Sequence, residues 1–295
     1  MRIVVLGANG QLGTPLLKRL LQDYPQAQVV GCVRERSMAA VKADAVMSQH
    51  VLSFNPFTDN WAKLGKVDVL VNCIGIIRET AALDFAQAHA GLTSLMLQHR
   101  KRLGNPRLLQ LSALGAAVHS PSRFLRTKAE ADEALLAHPN VVVVRPSIVC
   151  TPNTMLSRKL QLLKKLCRLT FGALPFPAHL LQTKLQPVLV EDLTELISRL
   201  CLQNPYEGTV EVAGKDTFSL QQLLALVPTC KKVVPIPKAF SDAALQVVTW
   251  LFHALLDKEQ QVLLQQDNIA GTTVCEKLLG REMAGTVLFW KSELK

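Results

Sequence analysis

Short apolar runs alternate with amphipathic stretches along the first half of the chain. The runs that predict strands are rich in valine, isoleucine and leucine, and they are RIVVLG (2–7), QVVGCV (28–33), VDVLVNCIG (67–75), RLLQLSA (107–113) and NVVVVRPSIV (140–149). Continuous apolar strands joined by helical patterns are typical of a parallel sheet that is covered on both faces. The pattern therefore predicts an α/β fold with a doubly wound parallel Rossmann sheet.

The regular alternation ends after Ile148, where prolines begin to interrupt the chain. We expect a dinucleotide-binding Rossmann domain over 1–150 and a smaller C-terminal mixed region over 151–295. The stretch QPVLVEDLTELI (186–197) predicts a further strand and helix that return to the main sheet, so the two regions are expected to be partly interleaved. The apolar stretch 243–256 has 14 residues, too few for a membrane span, and predicts a packed helix.

Two sequence patterns predict where helices begin. Ser120 followed by Pro121 is typical of an N-cap with proline at the first helical position. Ser219 followed by Gln222 has the spacing of a capping box.

A glycine-rich turn follows the first strand. Gly7, Gly10 and Gly13 in GANGQLG stand between a predicted strand and a predicted helix, which is the context in which this spacing indicates a dinucleotide site. Glycine lets the backbone approach a pyrophosphate, and the helix N-terminus directs its positive dipole end at it. The predicted cofactor contacts of this turn are Gly7, Asn9, Gly10, Gln11, Leu12 and Gly13.

The second predicted strand ends at Arg34, where a site for NAD usually carries an acidic residue that binds the ribose hydroxyls. An arginine there favours a 2′-phosphate, and Arg36 could assist, although Glu35 lies between the two. We therefore expect NADP(H) to be preferred, with NAD(H) as the alternative.

Composition and charge narrow the class of protein. Apolar residues form 49% of the chain and charged residues 19%, which is typical of a compact globular protein. The seven cysteines are scattered and never spaced as CxxC, so we expect no metal, no disulfide framework and a reducing, cytoplasmic location without a cleavable leader. A net charge of +10 favours an anionic partner, but no helix-turn-helix, zinc-finger or RNA-recognition pattern supports nucleic acid.

Several segments in order resemble the short-chain dehydrogenase/reductase superfamily: GANGQLG, VNCIG (71–75), LSALGA (111–116), SPSRFLRTKAEA (120–131), RPSIV (145–149) and QPVLVEDL (186–193). The sequence looks most like the atypical, extended branch that includes the NAD(P)H-binding accessory subunit of respiratory complex I and its bacterial relatives. The resemblance covers almost the whole chain. It implies that Cys73, Ile74 and Gly75 pass beside the cofactor.

The resemblance also implies a redox centre of serine, tyrosine and lysine, and the matching positions here are Ser112, Phe124 and Lys128. Phe124 replaces the expected tyrosine, and a phenyl ring has no proton to donate to a carbonyl oxygen. Lys128 is still expected to reach the nicotinamide ribose. In the third strand, Ser53 and Phe54 stand where relatives tend to carry an aspartate near adenine.

Two function classes follow from these residues. We favour an NADP(H)-binding protein of the atypical short-chain dehydrogenase/reductase type in which the missing tyrosine makes cofactor binding more secure than turnover. The alternative is an active NAD(P)-dependent oxidoreductase or isomerase, with His119, Lys128 or a substrate group as proton donor. The expected partners are the nicotinamide dinucleotide and an unknown small-molecule substrate or protein.

The segment 134–190 contains no aspartate or glutamate but many basic residues. Within it, Leu156, Leu160, Leu163 and Leu166 or Cys167 recur at helical spacing, while Lys164, Lys165 and Arg168 gather elsewhere on the wheel. Such a basic amphipathic helix either packs its leucines on its own core or lies on an anionic membrane. We favour packing and keep peripheral membrane contact as the alternative.

Overall fold

The computed structural model describes residues 1–151, 155–202, 206–236 and 258–294, so the predicted helix at 243–256 lies outside the described residues. The chain divides into two compact units. The first comprises Met1–Pro146, Val190–Val212 and Thr273–Arg281, and the second comprises Ser147–Leu189, Ala213–Thr272 and Glu282–Lys295. A domain boundary near residue 150 in solution remains our proposal.

The strands and helices follow one another through both units. In chain order the strands are β1 (Arg2–Leu6), β2 (Gln28–Val33), β3 (Val51–Ser53), β4 (Val69–Asn72), β5 (Arg107–Leu111), β6 (Val141–Pro146), β7 (Val149–Cys150), β8 (Ala173–Pro177), β9 (Lys184–Leu185), β10 (Val188–Leu189), β11 (Gly208–Val212), β12 (Phe218–Ser219) and β13 (Lys232–Ile236). The α-helices are α1 (Gly13–Asp23), α2 (Glu35–Lys42), α3 (Leu92–Leu103), α4 (Arg123–Leu136), α5 (Met155–Leu169), α6 (Val190–Leu202), α7 (Leu220–Ala225), α8 (Lys258–Leu263), α9 (Thr273–Leu279) and α10 (Val287–Glu293).

The first unit is built on a seven-stranded sheet with the order β11-β6-β5-β4-β1-β2-β3, and every neighbouring pair is parallel. This confirms the predicted doubly wound sheet. The chain builds β1 to β3 toward one edge and then crosses to β4, so the order reverses between β1 and β4. Ligands of such sheets bind beyond the carboxyl ends of the strands at this reversal.

The core of the first unit explains why its strands are so uniformly apolar. The four valines at 141–144 in β6 are all buried, because helices cover both faces of the sheet. Near β3, Phe54 meets the Trp61 ring edge-on at 5.5 Å, and the indole nitrogen of Trp61 donates to the Pro56 carbonyl oxygen. This packing fixes the chain where it leaves β3.

The return of the chain to the first unit differs in detail from the sequence-based expectation. The predicted strand near Val188 pairs with β7 in the second unit, whereas α6 and β11 belong to the first unit, and β11 adds the seventh strand beside β6. Arg281, just after α9, donates 2.7 Å hydrogen bonds to carboxylates of Asp192 and Glu195 on α6. These ion pairs hold the last segment of the first unit in place.

One of the two helix-start predictions is wrong by two residues. Helix α4 is capped by Ser122, whose hydroxyl accepts a hydrogen bond from the Leu125 amide, while the hydroxyl of Ser120 accepts from the Ser122 amide. A serine at either position could offer a cap, and only the tertiary path of the chain selects between them. The capping box at Ser219 and Gln222 is confirmed.

The second unit is a mixed region with small sheets. Strand pairs β7 with β10 and β8 with β13 are parallel, and β9 with β12 is antiparallel. Its buried core includes Leu160, Leu163 and Cys167 from α5, Leu223 from α7 and Trp290 from α10. Helix α5 therefore contributes one complete face to this core.

Candidate functional site

The glycine turn after β1 has the geometry of a phosphate-binding loop. Gly7 adopts a φ of 75°, and the amides of Gly7 and Ala8 both donate to the Cys32 carbonyl at the end of β2. Helix α1 then begins at Gly13, where an added Cβ would lie 2.1 Å from the Gly7 carbonyl oxygen. The residue before the helix provides no side-chain cap and its first turn has no acidic residue. Its positive end therefore suits an anion.

A cavity of about 810 Å³ opens beside this turn within the first unit. The predicted cofactor contacts that line it are Gly7, Asn9, Gly10, Arg34, Cys73, Ile74 and Gly75. The predicted site residues outside its lining are Gln11, Leu12, Gly13, Ser112, Phe124 and Lys128. The cavity thus unites the glycine turn, the end of β2 and the loop after β4 at the point where the sheet order reverses.

The loop after β4 is held by a buried amide. The Asn72 side chain donates to the Gln110 side-chain oxygen at 2.8 Å and accepts from the Ile74 amide at 2.9 Å. Both side chains are fully buried, so this pair fixes the backbone from Cys73 to Gly75. Burial raises the pKa of the Cys73 thiol to about 12, which keeps it protonated and unreactive.

Two arginines flank the far end of the cavity. Arg34 and Arg36 are exposed, and within the four described ranges neither forms an ion pair with a carboxylate. Glu35, which lies between them, accepts a hydrogen bond from the Ser53 hydroxyl instead. Partial burial, and then the charge of Arg36, lower the pKa of Arg34. The two guanidinium groups therefore raise the local positive potential and favour an anionic group between them.

A buried charge network lies behind the loop after β4. Lys128 on α4 donates to the Leu111 carbonyl at 2.8 Å, and a Cβ on Gly75 would lie 3.2 Å from its ammonium nitrogen. Burial lowers the pKa of Lys128 to about 8, although Asp132 counteracts this effect. Asp132 is fully buried one helical turn further on. The ammonium group thus supports the wall of the cavity from behind.

Ser112 and Arg145 complete the network. The Ser112 hydroxyl and the Arg145 guanidinium both donate to the same carboxylate oxygen of Asp132, at 2.7 and 2.9 Å. Burial raises the pKa of Asp132, and these two donors oppose that shift. Sequence reasoning missed Asp132 and Arg145. The spacing of four residues between Lys128 and Asp132 on one helix is the signal that could have identified the first of them.

Phe124 lies in an aromatic cluster. Its ring meets the rings of Phe85 and His89 edge-on, with centroids 5.7 and 5.6 Å away, and His89 Nδ1 lies 2.9 Å from the Thr127 hydroxyl. Burial, and then the charge of Lys128, lower the pKa of His89 to about 2, so its imidazole stays neutral. The imidazole that contacts the Phe124 ring therefore cannot supply a proton near pH 7.

The other candidate proton donors are dispersed. His119 is exposed in the loop before α4 and is not among the residues that line the cavity. The Tyr24 and Tyr206 hydroxyls donate to the backbone carbonyls of Ser198 and Thr209. Neither tyrosine lines the cavity.

Sequence reasoning also missed part of the cavity wall. The chain just beyond β3 contributes Asn55, Pro56, Phe57 and Thr58. Their position beyond the carboxyl end of a parallel strand could have identified them. A second part consists of Thr80, Ala82, Leu83, Gln87, Gly91 and Leu95. No sequence motif marks this part, because tertiary folding alone brings it to the cavity.

Comparison with known proteins gives sequence relatives and a fold. No protein-family model matches the chain. It is 33% identical over 231 residues to the NADH dehydrogenase [ubiquinone] 1 alpha subcomplex subunit 9, mitochondrial, of Arabidopsis thaliana, covering 76% of this chain and 56% of that protein. The counterpart of Rattus norvegicus is 29% identical over 58% of this chain. The chain spans about half the length of these relatives, 56% and 45% respectively.

Solved structures share the fold across the whole chain. The NADPH-dependent quinone oxidoreductase of Escherichia coli, complexed with NADPH, has a TM-score of 0.73 at 20% identity and covers 99% of this chain and 100% of that one. The UDP-glucuronic acid 4-epimerase of Bacillus cereus, in complex with UDP-glucuronic acid and NAD, has a TM-score of 0.71 at 14% identity over 100% and 98% of the two chains. At such identities the likeness is one of fold alone.

Proposed function

Because the chain is similar in sequence to these subunit 9 proteins and has the Rossmann fold of an atypical short-chain dehydrogenase/reductase, we propose that its first unit binds NADP(H) without ordinary carbonyl redox turnover. The glycine turn and the paired arginines at two ends of one cavity support binding of a phosphate-bearing dinucleotide most directly. When bound, such a cofactor supplies hydride transfer at its nicotinamide ring.

Different residues of the cavity would bind different parts of the cofactor. Gly7, Asn9 and Gly10 with the start of α1 would hold the pyrophosphate, and Arg34 with Arg36 would hold a 2′-phosphate. The loop from Cys73 to Gly75 would pass beside the nicotinamide half. Lys128 lies behind Gly75 and outside the cavity lining, so it would support this loop against the ribose from behind.

The absence of turnover is supported by what surrounds Phe124. A phenyl ring replaces the phenol that would exchange a proton with a carbonyl oxygen, and its neighbour His89 has a pKa too low to act as an imidazolium donor. The Ser112 hydroxyl donates its hydrogen bond to Asp132 rather than toward the cavity. In this proposal the bound cofactor stabilises the protein or makes it responsive to the nucleotide state of the cell. Its partner is another protein rather than a small-molecule substrate. We place the protein in the cytoplasm.

The cofactor preference can be tested directly. We expect the parent protein to bind NADPH at least about tenfold more tightly than NADH, because a charge-assisted bond contributes about 1.5–3 kcal/mol. Arg34→Ala should bring the two affinities close together, as measured by isothermal titration calorimetry. Arg102→Ala, an exposed arginine outside the cavity, is the matched control and should preserve the preference. Equal affinities in the parent protein would contradict the role given to Arg34.

Turnover is tested at the missing tyrosine. We expect no measurable NADPH oxidation by the parent protein with a panel of aldehydes, ketones and quinones. Phe124→Tyr should raise the rate by about 10² for any substrate that enters, because general acid catalysis contributes about 10²–10⁴.

Activity in the parent protein would instead support the enzyme alternative. If His119→Ala abolished that activity, His119 would be the substitute donor. If the activity survived in His119→Ala, the absence of a tyrosine at position 124 would not be what limits turnover. Both outcomes leave the binding of NADP(H) intact, so the cofactor and turnover proposals fail independently.

A further inference from the structure

Helix α5 in the second unit has a buried face and an exposed face. Leu160, Leu163 and Cys167 are buried in the core of the second unit, so these residues, which a membrane-bound helix would have used, are unavailable to lipid. Lys164 also turns inward, where its ammonium donates to the Leu294 carbonyl at 3.0 Å. The favoured prediction, that the leucines of this helix pack on the core of their own unit, is therefore confirmed, and the alternative in which this face lies on a membrane is wrong.

The exposed face carries a different pattern. Arg158, Leu162, Lys165 and Leu169 are spaced by four, three and four residues, which puts them on one side of the helix. Leu162 exposes 43% and Leu169 77% of its surface. Basic and apolar side chains thus alternate along a face that is turned to solvent.

The chain continues from this face into an unusual turn. Phe171 exposes 92% of its surface and has a φ of 53°, a left-handed conformation that costs a bulky residue about 1–2 kcal/mol. Gly172 follows with a φ of 93°, and its amide donates to the Cys167 carbonyl at the end of α5. Burial of the Phe171 ring does not offset the free-energy cost of its left-handed backbone. Backbone strain of this kind is typical of functional positions.

Basic residues accompany this turn. The backbone amides of Lys231 and Lys232 both donate to the Gly172 carbonyl, so these lysines lie beside Phe171 in the fold. The exposed cations of the α5 face and the turn are Arg158, Lys165, Arg168, Lys231 and Lys232. Among the described residues none of them forms an ion pair with a carboxylate. These five cations therefore raise the local positive potential.

We propose that Leu162, Leu169 and Phe171, here called the α5 tip, insert into the headgroup boundary of an anionic lipid surface. Protruding apolar side chains beside exposed cations suit such a boundary, because hydrocarbon accepts the apolar groups in any arrangement while anionic headgroups pair with the cations. Interface cores between proteins, by contrast, are depleted of charged residues. Within the described ranges, no helix has the length and apolar character needed to cross a bilayer.

Co-sedimentation with vesicles tests this docking. The full chain should pellet with vesicles of equal parts phosphatidylglycerol and phosphatidylcholine at low salt, but not with phosphatidylcholine alone, and added salt should release it. Leu169→Ala with Phe171→Ala should lower the partition coefficient about tenfold or more, because each loses an apolar side chain that would be buried. Leu288→Ala, which changes a leucine that is 79% exposed, is the matched control and should have no effect.

The charge contribution has its own pair of variants. Lys165→Glu with Arg168→Glu should weaken binding at least about tenfold, since each basic residue near an anionic surface contributes about 1 kcal/mol. Lys42→Glu with Lys101→Glu makes the same change in net charge on exposed residues of the first unit and should weaken binding far less. Equal losses in both pairs would indicate attraction by net charge and overturn the proposal.

Insertion, as distinct from surface attraction, is measured with Phe171→Trp. Its added fluorescence should shift to shorter wavelength on the anionic vesicles and be quenched by lipid brominated in its acyl chains. A protein that stays in the supernatant at low salt, or a tryptophan at 171 that brominated lipid does not quench, would overturn lipid docking. Recruitment of an acidic protein by the same tip in the absence of vesicle binding would point to a protein partner instead.

Discussion

Gly13→Ala is expected to lower the free energy of unfolding by at least about 3 kcal/mol and to abolish binding of NADPH. The new methyl group would meet the Gly7 carbonyl oxygen at 2.1 Å and Cα of Ala8 at 2.9 Å. These are backbone atoms of the turn itself, which cannot move aside as a side chain can, so overpacking here lies at the costly end of its usual range. Chemical denaturation and calorimetric titration of NADPH measure the two effects.

Gly10→Ala is the matched control in the same turn. Its added Cβ would meet only the Gly7 carbonyl oxygen, at 3.2 Å, and we expect a loss of stability below about 1 kcal/mol. An unfolding free energy for Gly13→Ala as close to the parent value as that of Gly10→Ala would contradict the close packing of α1 against the turn.

Asp132→Ala is expected to destabilise the first unit by about 3–5 kcal/mol, the cost of removing one partner from a buried group of charges. Lys128 and the partly buried Arg145 would then lack their carboxylate, and the Ser112 hydroxyl would lose its acceptor. Burial raises the pKa of Asp132, and the hydrogen bonds from Ser112 and Arg145 and the charges of Arg145 and Lys128 oppose that shift. Urea denaturation measures the change.

Glu133→Ala changes the next residue of α4, which is exposed, and should alter the unfolding free energy by no more than about 0.5 kcal/mol. Asp132→Asn keeps the shape of the side chain and removes its charge. A loss in Asp132→Asn that is close to that of Asp132→Ala would assign the effect to charge rather than to lost packing. If Asp132→Ala and Glu133→Ala were equally stable, the network would have no structural role.

The sheet could be predicted from the sequence because each strand of the first unit carries a local pattern. Apolar runs such as 141–144 are buried on both faces, and a glycine turn after β1 fixes where the cofactor cleft begins. The seventh strand was missed as a member of this sheet. Gly208–Val212 is separated from its partner β6 by much of the second unit, and nothing in its short pattern specifies that pairing.

The candidate site likewise contains residues that the sequence predicts and residues that only the fold reveals. Gly7, Gly10, Arg34 and the loop after β4 follow from their places at strand ends, whereas Asp132 becomes visible only when Ser112 and Arg145 are brought to it. The amphipathic helix shows the limit of periodicity most clearly. The spacing of its leucines predicts that one face is buried but not what covers that face. In the structure, the core of the second unit covers it.

The order in which the chain is made has a consequence for β6. Its outer edge is paired only by β11, so the ribosome must add every residue from Ser147 to Val212 before that edge is covered. At about 5–20 residues per second this takes several seconds. Throughout that time a strand of four consecutive valines presents open amides and carbonyls, which is the kind of edge that recruits other chains. During synthesis, this edge of the nascent first unit therefore stays open to pairing with other chains until its last strand emerges.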